Sequence, residues 1–496
     1  MAYFEQLLRE RAENGGSASN YDERPSKQSQ QSSGTMVIHK PGVSIHDYYY
    51  ISGIIGNPYD SKARLGINRQ SGVERAIKEV PKAQIADLGD YLKKVRMLSQ
   101  LDHPNICRYM ELFEDEYSYY YVSEFLQGGD LWDAVYGLFG GFGGYSEETA
   151  ATVVKQLLQA SGYLHKKGII HRNIRSGNIL FSERGKLDVK LIDFDVAGTK
   201  TLETVNVYGG GMLGPHYCAP EVLKGEFTEK SDLWSIGIIL YFMLMGDLPY
   251  NGETHEDVIK AVTRGTIKHH NDLLYKSLTP ESRDLVEALL QQNPKNRPTA
   301  QEALQHPWFD LSIKGTLKKS DLSNALQSLK SFTGHSKIKS AMLGFFVQNL
   351  LSQQELNHLA QQFKEFDKDG SGALSPQELR TALKEVQGVD YNENEINEII
   401  QRIDADGDGE INYSEFLMAA LNRNAMLSGE RLEVAFRLFD VDGNGELSIQ
   451  EVKNLLSLAK PVDEVTVMRA LKEVDGRTKA NIGFTEFKTL MQKLFD

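Results

Sequence analysis

Four stretches of twelve residues begin at Asp367, Asp404, Asp440 and Asp475, spaced 37, 36 and 35 residues apart. A repeat of that period is one supersecondary unit copied along the chain, and neighbouring copies must pack together to bury their apolar faces. The oxygens inside each stretch constrain the chemistry. The first offers Asp367, Asp369, Ser371, the Ala373 carbonyl, Ser375 and Glu378, with Gly372 at the sharp turn. The second offers Asp404, Asp406, Asp408, the Glu410 carbonyl, Asn412 and Glu415, with Gly409 at the turn. The third offers Asp440, Asp442, Asn444, the Glu446 carbonyl, Ser448 and Glu451, with Gly445 at the turn. Calcium needs six to eight hard oxygens, and this spacing wraps them around one point.

These stretches read as EF-hand loops, the first three each expected to hold one calcium ion. The fourth keeps Asp475 and Glu486 but has Arg477 and Lys479 where oxygens belong, Ala480 at the turn and Gly483 at the ninth position. Two cations inside the cage repel the ion, so this repeat is expected to serve as a packing partner for the third. Residues 351–496 hold 27 acidic and 16 basic side chains, a charge of −11. Residues 311–340 just before them hold six lysines and one aspartate, +5. Opposite charges on adjacent segments suggest that the two meet within the chain.

At 496 residues the chain is too long for one core, and two to four domains are expected. Its longest apolar run, Ile236 to Met245, is too short to cross a bilayer and reads as a buried helix. Cys107 and Cys218, the two cysteines, support neither a disulfide framework nor a zinc site. The first thirty residues carry no secretory segment, and Ala2 stands where N-myristoylation requires glycine. A cytoplasmic protein without transmembrane segments and without nucleic-acid partners is expected.

Residues 1–47 read as an extension, with 1–12 forming a short helix and 13–43 too polar to fold. Structure is expected from about Tyr48. Residues 48–125 show β-like runs broken by one helical pattern from about Gln84 to Gln100, and residues 130–309 read mostly as helices. Five glycines between Gly137 and Gly144 suggest a flexible surface loop. Two amphipathic helices follow. One is expected to start at a Ser320 cap with Leu322, Ala325, Leu326 and Leu329 on one stripe; the other carries Ile338, Met342, Phe345 and Phe346. Ser352 and Glu355 form a capping box for the next helix.

Several motifs stand in order within residues 48–309: Ala76-Ile77-Lys78, His171-Arg172-Asn173 with Asn178, Asp193-Phe194-Asp195, Ala219-Pro220-Glu221, Asp232-Leu233-Trp234 and Arg297. The set resembles a protein kinase domain. With the junction and the EF-hands, the chain from residue 48 onward resembles a calcium-dependent protein kinase. The resemblance implies a multidomain α+β architecture: a kinase-like domain at 48–309 with a β-rich N-lobe and a helical C-lobe, regulatory junction helices at 310–351, and an all-α calmodulin-like domain at 352–496. It implies that Gly56, Ala76, Lys78, Glu124, Leu126, Asp130, Asn178, Leu180 and Asp193 line a Mg-ATP cleft, with Ser123 as a small gatekeeper. Lys78, Arg175 and Asp193 then fall on catalytic positions.

Phosphoryl transfer asks mainly for positioning and charge neutralisation. Asn173 holds the place of the catalytic aspartate, and an amide cannot accept the substrate proton. Lys94 holds the place of the helix-C glutamate, and Asp90, four residues earlier, is the local candidate to pair with Lys78 instead. Pro58 and Ser61 replace two glycines of the phosphate-covering loop, with Asp60 adding negative charge. Asp195 replaces the glycine of the metal-binding triplet. The activation segment carries Gly209-Gly210-Gly211 and Leu213-Gly214-Pro215. Retained and lost ligands nearly balance, so the sequence leaves Mg-ATP binding open.

Two functions fit. One is a calcium-sensing Ser/Thr kinase homologue with weak or absent phosphotransfer, a calcium-switched scaffold for a protein partner, in which the junction helix is the intramolecular target of the EF-hands. The other is an active calcium-dependent kinase with a protein substrate. A calcium buffer is a third reading, but a buffer needs no regulated junction.

Overall fold

The computed structural model describes residues 38–56, 63–139, 144–199, 214–267, 272–312, 317–332, 337–421, 426–440, 443–453 and 481–495. The expected N-terminal helix, the residues Pro58, Asp60 and Ser61, the Gly209–Gly211 run with Leu213, the ligand Asp442, and Arg477, Lys479 and Ala480 of the fourth loop lie outside them.

A six-stranded sheet forms the first lobe, in the order β1-β5-β6-β4-β3-β2. Its strands are β1 (Ile38–Pro41), β2 (Tyr49–Ile54), β3 (Ala63–Asn68), β4 (Glu74–Pro81), β5 (Tyr109–Glu114) and β6 (Ser118–Glu124). β1 runs parallel to β5; the remaining pairs are antiparallel. Residues 38–47 therefore do not belong to an unstructured extension. Lys40 supplies the reason: its amine bonds Glu111 at 2.7 Å and lies over the Tyr48 ring at 4.0 Å. Polar composition hid a segment held by its pairing with β5, by buried Ile45 and by this partly buried ion pair. The helix Leu88–Leu98 crosses the lobe with Leu92, Val95 and Leu98 buried. It starts later than the apolar pattern suggested because Asp87 caps it, accepting from the Asp90 N–H.

The second lobe is helical. Its central helix, Glu229–Met245, is buried along nearly its whole length, which explains the uninterrupted apolar run. It packs against Glu147–Lys166. Arg297, fully buried, makes a bidentate pair with Glu221 at 2.6 and 2.7 Å. Asp232 accepts the backbone N–H groups of His171 and Arg172, both at 3.0 Å, and lies 2.8 Å from His165 Nε2. The glycine-rich insert is not simply a loop: Gly137 lies in the helix Leu131–Phe139, and Gly144 sits where a Cβ would strike the Leu244 backbone at 2.3 Å.

The junction helices are Lys319–Ser331 and Lys337–Asn349. The cap of the first is Lys318, not Ser320, whose hydroxyl instead meets the Asp321 carboxylate at 3.3 Å. Ala325, Leu326, Leu329, Met342, Phe345 and Phe346 are buried in one apolar cluster with the EF-hand residues Phe363, Phe366, Phe416 and Phe439. The Ile338 side chain lies outside the described set. Ser352 and Glu355 form the expected capping box. Within the module, Ala373–Leu374 pairs with Ile411–Asn412, and Glu446–Ser448 with Asn481–Gly483. The fourth hand thus packs against the third.

Replacing Arg297 with alanine would leave Glu221 buried and unpaired, a loss of about 3–5 kcal/mol. The expected outcome is a clear drop in the urea midpoint of the kinase-lobe transition, with the EF-hand transition unchanged.

Candidate functional site: a cleft and a set of calcium loops

Each calcium loop follows a helix whose last turn presents the first carboxylate. In the first loop the Asp367 carboxylate accepts from the Ser371 and Gly372 N–H groups, both at 3.0 Å. Glu378 closes the far end, accepting from the Lys368 N–H at 2.9 Å and the Ser375 hydroxyl at 2.7 Å. Gly372 has φ of 83°, a left-handed turn that L side chains resist. Carboxylate oxygens of Asp367, Asp369 and Glu378 lie within 4.8 Å of one another, as do those of Asp404, Asp406 and Asp408. An all-oxygen set of this size suits calcium. Burial, with neighbouring carboxylates, pushes Asp367 up to about 8; burial likewise pushes Glu415 up to about 8. Bringing these groups together costs energy that a divalent cation relieves. Glu415 accepts from the Ala405 and Asn412 N–H groups at 2.7 and 3.1 Å. The third loop has the same frame: Asp440 accepts from Asn444 and Gly445, and Glu451 from Ser448.

The cleft between the kinase lobes is a cavity of about 420 Å³. Gly56, Ala76, Lys78, Glu124, Leu126, Asp130, Asn178, Leu180 and Asp193 all line it, with Arg175. Ser123, Cys107, Tyr109 and Tyr121 line the same cavity. Lys78 lies on β4, facing the Asp193-Phe194-Asp195 segment. Phe194 is fully buried, 4.5 Å from the His171 ring and 6.5 Å from that of Tyr109, and it anchors the segment. Asp193 itself has φ of 62°, a conformation held by these surroundings.

The Lys78 amine sits 3.1 Å from Asp193 Oδ1 and 2.6 Å from Asp195 Oδ2. Burial works against its charge, but the two carboxylates outweigh burial and raise its pKa. Asp193, pushed up by burial, is held below the usual carboxylate range chiefly by Lys78. Asp90 is not the partner expected from the sequence. It bonds Lys93 at 2.8 Å on the outside of the helix. Lys94 donates from its amine to the Asp195 carbonyl, and the nearby Lys78 charge is among the influences that lower its pKa, after burial.

Asn173 lies beside Asp193 and donates from Nδ2 to Asp193 Oδ2 at 2.9 Å. A carboxylate only accepts, so the amide nitrogen must face it. Both Asp193 oxygens are therefore engaged by the chain's own donors. Asn178 Nδ2 donates to the Asn173 carbonyl at 2.8 Å, and Asn178 lines the same cavity as Asp193.

A third set of residues had no signal in the sequence. The first EF-hand pair lies against the kinase domain. Asp102 accepts the Ser414 N–H and hydroxyl, both at 2.8 Å. Lys364 bonds Asp188 and Gln156 at 3.0 Å each, and Gln361 bonds Asp188 at 2.8 Å. Asn357 bonds Glu183 at 2.6 Å. Gln353 reaches Glu124 of the cleft at 3.3 Å, and Arg75 donates to the Gln348 carbonyl at the end of the second junction helix at 2.6 Å. The first calcium loop touches the kinase directly: Gly370 and Gly372 sit against Gln159, His103 and Tyr163.

Residues 49–309 match the protein kinase domain, and residues 356–421 and 430–492 each match the EF-hand domain pair. Over 479 residues the chain is 34% identical to calcium-dependent protein kinase 4 of Plasmodium berghei, covering 92% of this chain and 89% of that protein. It is 30% identical over 461 residues to calcium-dependent protein kinase 33 of Arabidopsis thaliana, covering 92% and 87%. The chain belongs to the calcium-dependent protein kinase family. It therefore carries the family's bilobal kinase domain and EF-hands, and EF-hand domains bind calcium. No helix among the described residues is long and apolar enough to cross a membrane.

In this calcium-dependent protein kinase homologue, Asp102→Ala removes both acceptors of Ser414. The expected loosening is about 1–3 kcal/mol. Amide exchange across Tyr413–Ala420 should speed up in that variant while the Glu229–Met245 helix keeps its protection.

Proposed function

We propose that this chain is a calcium sensor whose EF-hands control a kinase domain with weak or absent phosphotransfer, a calcium-switched scaffold for a protein partner. The observation that carries the reading is the Asn173–Asp193 bond. A transferring site needs a carboxylate to receive or orient the substrate hydroxyl proton and a free Asp193 to hold a metal ion. Asn173 does neither task. Its amide takes no proton, and it occupies an oxygen of the metal-binding carboxylate. Lys78 and Asp130 would still meet the phosphates and the sugar of Mg-ATP, so nucleotide binding survives in this reading while turnover does not. The bound metal, where present, would supply charge neutralisation between the phosphates; the chain's own part is to orient them with Lys78 and to enclose the base between Ala76, Leu126 and Leu180.

Three calcium ions fit the frames at Asp367, Asp404 and Asp440. The junction helices are the intramolecular target, a reading supported by the stripes at Leu326, Leu329, Phe345 and Phe346 sharing a core with the EF-hands. The +5 charge of the junction segment and the −11 charge of the module favour the same association. A second reading, an active Ser/Thr kinase, is supported by the lined cleft and the retained Lys78–Asp193 contact. The buffer reading is disfavoured by the hydrogen bonds between the calcium module and the kinase lobe, which a buffer does not require.

Transfer of labelled phosphate from Mg-ATP to the chain and to a basic peptide, with calcium present, should equal that of Asp193→Ala. Asn173→Asp should raise it by roughly 10²- to 10⁴-fold, the worth of a positioned general base. Calcium-stimulated transfer by the unaltered chain that disappears in Asp193→Ala would establish the active kinase instead.

A further inference from the structure

Kinase-type clefts fix their phosphate-binding lysine with a carboxylate from the neighbouring helix. Here that helix, Leu88–Leu98, presents Lys94 at the corresponding place, and its acidic residue Asp90 is taken by Lys93 at 2.8 Å. We propose that Asp195 has taken over this role: its carboxylate positions Lys78 for the phosphates, while its carbonyl receives Lys94 and ties the helix to the same residue.

The geometry is direct. Asp195 Oδ2 lies 2.6 Å from the Lys78 amine, nearer than Asp193 at 3.1 Å. Lys94, on the facing helix, donates to the Asp195 backbone oxygen. One residue thus meets two lysines, through its side chain to one and its main chain to the other. Without it Lys78 and Lys94 would face each other with Asp193 as the only carboxylate among the described residues paired with Lys78. Burial lowers the Lys94 pKa, and Asp195 is the leading influence opposing that. The glycine that ordinarily follows the phenylalanine could supply the carbonyl but no carboxylate. Lys94 and Asp195 are therefore one coupled exchange, in which the carboxylate has moved from the helix to the segment and a lysine stands in its former place on the helix.

The inference rests on the cleft accepting a nucleotide and is independent of whether phosphate is transferred. A chain that proved active would end the scaffold reading and leave this one standing.

The test is displacement of a fluorescent ATP analogue by ATP from the full-length chain, with calcium and magnesium present. Asp195→Gly and the isosteric Asp195→Asn should each weaken ATP by roughly fivefold or more, the coupling expected of a close but partly exposed pair. Adding Lys94→Glu to Asp195→Gly rebuilds the helix-borne carboxylate, and should restore ATP binding to within about twofold of the unaltered chain. A residue that served only to hold the fold would not be rescued by reversing a charge on another element. Unfolding midpoints of each variant identify any that have lost their fold, and Asp195→Asn, which keeps the shape, then carries the comparison. The proposal is overturned if Asp195→Asn binds ATP like the unaltered chain, if the double variant binds no better than Asp195→Gly, or if the unaltered chain binds no ATP.

Discussion

Asp102 accepts two hydrogen bonds from Ser414, across 312 positions of chain, and this contact sets where the calcium module stands relative to the nucleotide cleft. Ser414 opens the helix Tyr413–Ala420, whose first turn also carries Glu415, the last ligand of the second calcium loop. Asp102 follows the helix Leu88–Leu98, which carries Lys94. The two residues join a calcium ligand to the element that faces Lys78 with no intervening domain. His103, next in sequence, is buried, pushed down to about 3 by burial, and bonds to the Gly370 backbone of the first loop. A neutral imidazole is the form that such a dry contact tolerates. Any rearrangement of the first two loops must therefore act on residues 102–103, because interfaces packed this closely shift as units.

The cleft at the other end of this path has been rewired electrically while keeping its shape. Relative to the kinase pattern, glutamate has become Lys94, aspartate Asn173 and glycine Asp195, three changes that together add two positive charges. Polyphosphate is favoured by that change, and proton abstraction is not. The buried supports were left alone: Phe194 against His171, Asp232 beneath the His171 and Arg172 amides, and Glu221 on Arg297. Substitution has fallen on groups that would touch a substrate and spared those that hold the scaffold.

What could be read from the chain follows the range of each interaction. The calcium loops were legible because all their ligands fall within twelve residues and one spacing fits one ion. The junction stripes were legible from helical periodicity, and the cleft-lining positions from ordered motifs. The partner of Lys78 was not, because Asp90, four residues before Lys94, was the acid at hand on the helix and Asp195 lies 117 residues from Lys78. The cap at Lys318 was missed because Ser320 is the better capping residue locally, and the helix begins earlier. Residues 38–43 fell within a stretch that looked too polar to fold, and the pairing of Ile38–Pro41 with β5 and the Lys40–Glu111 bond, 71 residues apart, give them their place in the sheet. The docking contacts at Asp102, Asp188 and Glu183 use ordinary surface residue types, whose meaning exists only once the two domains are placed together.

In the proposed switch, calcium is felt in the kinase domain through the junction helices and the docked module. Hydrogen exchange of the full chain with and without calcium, followed over residues 320–349 and over the helix Leu88–Leu98, tests it most directly. Calcium-dependent protection is expected in both segments, moving together as calcium is titrated. Identical exchange in the two states would mean a permanent connector and would contradict the switch.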